Sequence, residues 1–215
     1  MKLKRETVSD VSEVVSSIIE RVRTEGDEAL FDLTKELDGH AIDTSTIRIP
    51  NSEIRQARTE CSGGILKALE VAANRIRDFH EKQVLPGIDY TDDAGVRLGY
   101  RWTPVQAAGM YVPGGTAAYP SSVLMNALPA KVAGVDRLAM VVPTPGGLVN
   151  PLILVAADIA GVDEIYRIGG AQAIAALAHG TESVAPVNVI VGPGNVYVAV
   201  AKKQVYGQVG IDMFA

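Results

Sequence analysis

The stretch Leu138-Ala-Met-Val-Val-Pro-Thr-Pro-Gly-Gly147 runs from five apolar residues through a proline- and glycine-rich loop, and an apolar helical sequence follows from Pro151. A run that is apolar at every position, instead of every second one, is buried on both faces, as strands of parallel sheets are. The same unit recurs along the second half of the chain. Strands are predicted at Gly109–Val112, Leu138–Val142, Glu164–Ile168 and Asn188–Val191, with Ile211–Met213 a candidate fifth. The loops that follow the first four are Val112-Pro-Gly-Gly115, Pro143-Thr-Pro-Gly-Gly147, Gly169-Gly-Ala-Gln172 and Gly192-Pro-Gly-Asn195. Strand alternating with helix implies parallel pairing, right-handed crossovers and helices on both faces. The fold class is α/β, with a Rossmann-like doubly wound parallel sheet over residues 109–215.

Upstream, residues 1–108 have a different character and are read as a helical region containing part of a first α/β domain. Residues 1–110 carry 34 of the 45 charged side chains. Val11, Val14, Val15, Ile18, Ile19 and Val22 line one helical face, with Asp10 placed to cap its start. A second helix is predicted over about 26–38, turning Ala29, Leu30, Leu33 and Leu37 inward and ending at Gly39 as a left-handed cap. An extended piece, Ile47–Pro50, precedes a third helix capped by Asn51. A long helix over 65–82 presents Leu66, Leu69, Ala73, Ile76 and Phe79 at core spacing, and Tyr90–Trp102 reads as a β-hairpin.

The 215 residues are 47% apolar with a formal charge of −5, which excludes a disordered chain and a strongly basic nucleic-acid binder. No apolar run reaches the ~20 residues of a membrane helix. The Met1–Glu6 opening lacks the apolar core of a secretory signal, and the single cysteine, Cys61, forms no internal disulfide. A cytoplasmic protein with neither membrane nor nucleic-acid partners is expected.

In a doubly wound sheet the four loops lie along the carboxyl edge, where ligands bind at the reversal of strand order. Glycine permits close backbone approach, and helix N-termini attract phosphate. A dinucleotide or another phosphate-bearing ligand is the physical expectation. Yet the GxGxxG fingerprint is absent: its nearest match, Gly192-Pro-Gly-Asn-Val-Tyr197, has Tyr at the third position. The acidic residue that usually follows the second strand is missing too, because Val142 leads into Pro143-Thr-Pro145. Glycine-rich loops are also ordinary tight turns, so both readings stay open at this point. Tyr111, Gln172 and Asn195 project from the loops as neutral hydrogen-bonding groups suited to an amide or a ribose. Asn195 is equally placed to cap a helix. None of the three is a general base or a metal ligand at neutral pH. His40 and His80 have no ligand partner at helical spacing, His179 is placed to act as a cation at a helix end, and Cys61 has no evident base beside it.

Four blocks resemble the histidinol dehydrogenase family: Gly109–Val135, Gly169–Val184, Val191-Gly-Pro-Gly-Asn195 and Ile211-Asp-Met213. The likeness continues through the N-terminal region. It implies a zinc- and NAD-dependent homodimer that oxidises L-histidinol to L-histidine through the aldehyde in two hydride transfers, and it places NAD binding on Tyr111, Gln172 and Asn195. Family members continue past the Ile-Asp-Met motif. The resemblance therefore puts the zinc ligands, the Glu–His pair that moves protons and the substrate-binding residues beyond Ala215, and implies that this segment alone is inactive. Three other readings are a non-catalytic nucleotide-binding fragment or subunit, a dehydrogenase of another small alcohol, and an aldehyde dehydrogenase using Cys61.

Overall fold

The computed structural model describes residues 8–114 and 119–213, so Met1–Glu6 and the Thr116–Ala118 part of the family-like motif lie outside the described residues. The chain begins with α1 (Val8–Glu25), α2 (Asp27–Asp38), α3 (Asn51–Glu60) and α4 (Gly63–Glu81), followed by a hairpin of β1 (Ile88–Thr91) and β2 (Arg97–Tyr100). Then come β3 (Ala107–Tyr111), α5 (Pro120–Val132), β4 (Arg137–Val141), α6 (Pro151–Ala160), β5 (Glu164–Tyr166), α7 (Gly170–His179), β6 (Val189–Val191), α8 (Val196–Val205) and β7 (Gly210–Ile211). Strands β3 to β7 form one sheet in the order β5-β4-β3-β6-β7, with every pairing parallel. The chain winds outward from β3 first one way and then the other. The reversal falls between β3 and β6, as in a doubly wound sheet.

Alternation along the strands sorts side chains onto two faces. Ala107, Tyr111, Ala139, Val141 and Ile190 join a core that contains α7 and α8, whereas Ala108, Met110, Leu138, Met140 and Ile165 join one that contains α5 and α6. The N-terminal helices complete both layers. Helix α1 packs against α7 and α8 through buried Val11, Val15 and Val22, while α3 packs on α6 and α4 on α5. Two acidic residues and a serine fasten α2 to the loop after α7. The Asp27 N–H donates to Glu182 Oε2 at 2.9 Å, and the Ser183 N–H donates to Asp27 Oδ1 at 3.2 Å.

Charges concentrate in pairs at the amino edge of the sheet. Asp163 Oδ2 accepts from the Leu138 N–H at 2.8 Å and from Lys131 Nζ at 2.7 Å. Glu164 Oε2 accepts from Arg137 at 2.9 Å and from the Tyr166 hydroxyl at 3.1 Å. The Ile47–Pro50 piece covers the outer edge of β5: the Ile49 N–H donates to Ile165 O and the Arg167 N–H to Ile47 O, both at 2.8 Å. That cover keeps a sheet edge from being exposed. Strand β5 ends at Tyr166, two residues before the predicted Ile168.

Other local details depart from the sequence reading. Helix α1 begins at Val8, so Asp10 lies inside it and not at its cap position. Asn51 is the first helical residue of α3, with Pro50 at the cap position. The last strand shifts to Gly210–Ile211. Phe79, although in phase with the α4 core stripe, is 60% exposed, with its ring edge-on to that of His80. The hairpin forms as expected, but both its faces are exposed.

Burial, reinforced by the neighbouring Glu164 charge, pushes the Tyr166 hydroxyl up to about 12. Its contribution to stability is complete below the unfolded value near 10 and is lost as pH rises towards about 12. Denaturant melts of wild type and Tyr166→Phe across that window are expected to show a steeper alkaline loss in wild type.

Candidate functional site

A cavity of about 460 Å³ opens at the carboxyl edge of the sheet, on the side of α7 and α8. Tyr111 at the end of β3, Gln172 in the first turn of α7 and Asn195 before α8 all border it. The three residues singled out from sequence therefore meet around one space. Val14, Ile18, Leu37 and Asp38 from α1 and α2 form the opposite wall. Val14 and Leu37 stay 49% and 55% exposed on otherwise buried helical stripes because they face this cavity.

Each polar group is held differently. The Tyr111 ring is buried, and its hydroxyl oxygen accepts from the Gly170 N–H at 3.2 Å, which leaves its own proton to donate. Burial pushes that hydroxyl above its ordinary value, so it stays neutral. Asn195 Oδ1 accepts from the Val198 N–H at 3.1 Å, and Asn195 is thus the N-cap of α8 while also bordering the cavity. Gln172 is completely buried, yet both atoms of its carboxamide lack a hydrogen-bond partner among the described residues. Gly170 makes room for it: its φ is +63°, and a Cβ there would lie 2.5 Å from Gln172 Oε1.

Two features escaped the sequence reading. Asp38, the last residue of α2, has a buried Oδ2 with no partner among the described residues, and burial pushes its carboxyl above the usual carboxylate range. The second is a brace on the Gly192–Asn195 loop. Asp212 Oδ2 accepts from the Gly192 N–H at 2.8 Å, and buried Lys202 donates to Gly192 O at 3.0 Å and to the Asp212 carboxylate. The loop presses on the end of β3 so closely that a Cβ at Gly192, whose φ is +104°, would collide with Tyr111 O. Lys202 and Asp212 come from different elements, so no local spacing announces them.

Of the remaining candidates, His80, Cys61 and His179 do not border the cavity, whereas His40 lies close enough to Asp38 to attract its carboxylate. His80 sits edge-on to Phe79 and bonds Gln83 through Nδ1 at 2.6 Å, and Cys61 ends α3 against the second core. His179 does end α7, but burial lowers its pKa and Arg23 adds to the effect, so the neutral imidazole is favoured over the cation expected at a helix end. Among the described residues no group of three or more His, Cys, Asp or Glu could hold a metal ion. No described helix is long and apolar enough to cross a membrane.

Fold and site together define a doubly wound, Rossmann-like α/β protein with a cavity beside the reversal of its strand order. A model of the histidinol dehydrogenase family matches residues 1–215. The histidinol dehydrogenase of Rhodospirillum rubrum is 60% identical over 212 residues, covering 99% of this chain and 49% of that protein. That of Rhodopseudomonas palustris is 53% identical over 215 residues, covering 100% of this chain and 50% of its own. The crystal structure of histidinol dehydrogenase from Elizabethkingia anophelis superposes with a TM-score of 0.92 at 34% identity, covering 100% of this chain and 49% of that one. The chain belongs to the histidinol dehydrogenase family, and it spans about half the length of the curated relatives it matches.

Removing the Lys202 ammonium leaves the Asp212 carboxylate without its cation and frees Gly192 O. Lys202→Ala is expected to cost about 3 kcal/mol in urea unfolding, the scale of a broken buried pair.

Proposed function

We propose that the cavity binds NAD and that this chain is the cofactor-binding part of an enzyme oxidising L-histidinol to L-histidine through the aldehyde. The observation that carries the reading is the Gln172 carboxamide, buried at the head of α7 without a partner among the described residues. An unpaired buried amide costs on the order of 1–3 kcal/mol, a penalty removed when a ligand bonds to it. The donor set suits a dinucleotide: a tyrosine hydroxyl, two carboxamides and the N-terminal ends of α7 and α8, which favour phosphate. When bound, NAD supplies the hydride acceptor that alcohol oxidation requires. Tyr111 keeps its proton and donates it, the Gln172 carboxamide bonds the ligand, and Asn195, whose Oδ1 caps α8, offers its Nδ2 to the ligand. Val14, Ile18 and Leu37 keep water from one side of the ligand.

The described residues do not fit zinc, since they hold no cluster of three ligands. Zinc ligands and acid–base groups belong, in this reading, to the half of its relatives that the chain does not span. The same reading makes the enzyme a cytoplasmic homodimer.

In the intact protein, histidinol-dependent formation of reduced NAD is the expected activity, and the 215-residue segment alone should show none. Gln172→Ala and Asn195→Ala are each expected to weaken NAD binding by about 1 kcal/mol, the worth of one hydrogen bond. Calorimetry reads both. Unchanged affinity in the two variants would leave these residues as parts of the fold only.

A further inference from the structure

The sheet's own sequence lacks the carboxylate that commonly follows the second strand of a dinucleotide-binding unit and takes the ribose hydroxyls. Here β4 is that second strand, and it runs into Val142-Pro143-Thr144-Pro145. A carboxylate nevertheless borders the cavity that Pro143 also lines: that of Asp38, delivered from α2. The turn that carries it is seated on the β4 loop. The His40 ring, two residues on, lies where a Cβ on Gly147 would be 2.7 Å from its Cε1. The fastening of Asp27 to Glu182 and Ser183 fixes the other end of the same helix.

Burial disfavours an anion at Asp38, and the attraction of the nearby His40 offsets only part of that. Asp38 is the last residue of α2, where the helix dipole disfavours negative charge. Its Oδ2 is buried and unpartnered among the described residues. A group that costs stability in both ways, beside a cavity, is placed for a ligand.

We propose that Asp38 accepts hydrogen bonds from the vicinal hydroxyls of a ribose and, by charge repulsion, excludes a nucleotide bearing a 2′-phosphate. This rests on the dinucleotide reading of the cavity and adds the residue that chooses between NAD and NADP. The position is occupied from outside the sheet unit: the acid that β4 lacks is supplied by a helix that precedes the first strand of the sheet.

The test is calorimetric titration of the intact protein with NAD, NADP and 2′-deoxy-NAD, for wild type and Asp38→Asn. Wild type is expected to prefer NAD to NADP and to 2′-deoxy-NAD by about tenfold or more, the scale of a hydrogen bond to a charged group. Asp38→Asn should lose most of that NAD affinity, bring the NAD:NADP ratio close to one, and unfold at an equal or higher denaturant midpoint. Retention of the wild-type ratio in the variant would overturn the role of Asp38 while leaving nucleotide binding in place. So would equal binding of NAD and its 2′-deoxy analogue by wild type, a result that does not depend on the variant folding. An unfolding midpoint that falls while both nucleotides weaken equally would make Asp38 a structural residue. Failure of wild type to bind any of the three would remove the cavity reading itself.

Discussion

A parallel sheet whose strands are apolar on both faces must be covered twice, and this requirement organises the whole chain. Every residue of β3 is buried. The crossover helices supply one half-layer on each side, α5 and α6 against one face and α7 and α8 against the other. Four helices from the charged first half add a second tier: α1 and α2 on the α7 side, α3 and α4 on the α6 and α5 side. The charge asymmetry between the halves follows from this arrangement. Helices of the outer tier keep one face in water and carry charge there, while β3, β4 and most of α6 and α7 are buried.

The two edges of the sheet use polar groups in opposite ways. At the amino edge Asp163, Glu164, Arg137 and Lys131 are mutually paired and also hold backbone groups, the pattern expected where desolvated charge must be compensated. At the carboxyl edge Gln172 and Thr144, both fully buried, keep unpartnered polar atoms among the described residues, and so does Asp38 across the cavity. Both edges are built from the same strands, so the difference is not a matter of how well the sheet can satisfy its groups. It lies in where the unpaired groups are placed, which is around the cavity.

The sheet was legible because its information is local: continuous apolar runs, each closed by proline and glycine, need no knowledge of distant chain to be read as buried strands. Tyr111, Gln172 and Asn195 stand out for the same reason, as polar residues at strand ends and helix starts. Residues whose meaning depends on a distant partner were not legible. Asp38 reads as the polar end of a surface helix until α2 is laid across the cavity. Lys202 and Asp212 belong to different elements and meet only around Gly192. Val14 and Leu37 satisfied the helical period and are nevertheless exposed, because periodicity reports a face and not what lies opposite it.

Because one wall of the cavity belongs to the outer tier, its shape depends on how firmly α1 and α2 are held to the sheet. Buried valines of α1 set the distance, and the bonds from Glu182 and Ser183 to residue 27 set where α2 starts. A ligand touching Gln172 and Asp38 together would bridge the inner and outer tiers. Binding only to the assembled state, it would strengthen that contact in proportion to its affinity. The N-terminal helices are therefore not a separate appendage to the sheet: they complete its core, and the same packing places Asp38 across from the helix starts that bear Gln172 and Asn195.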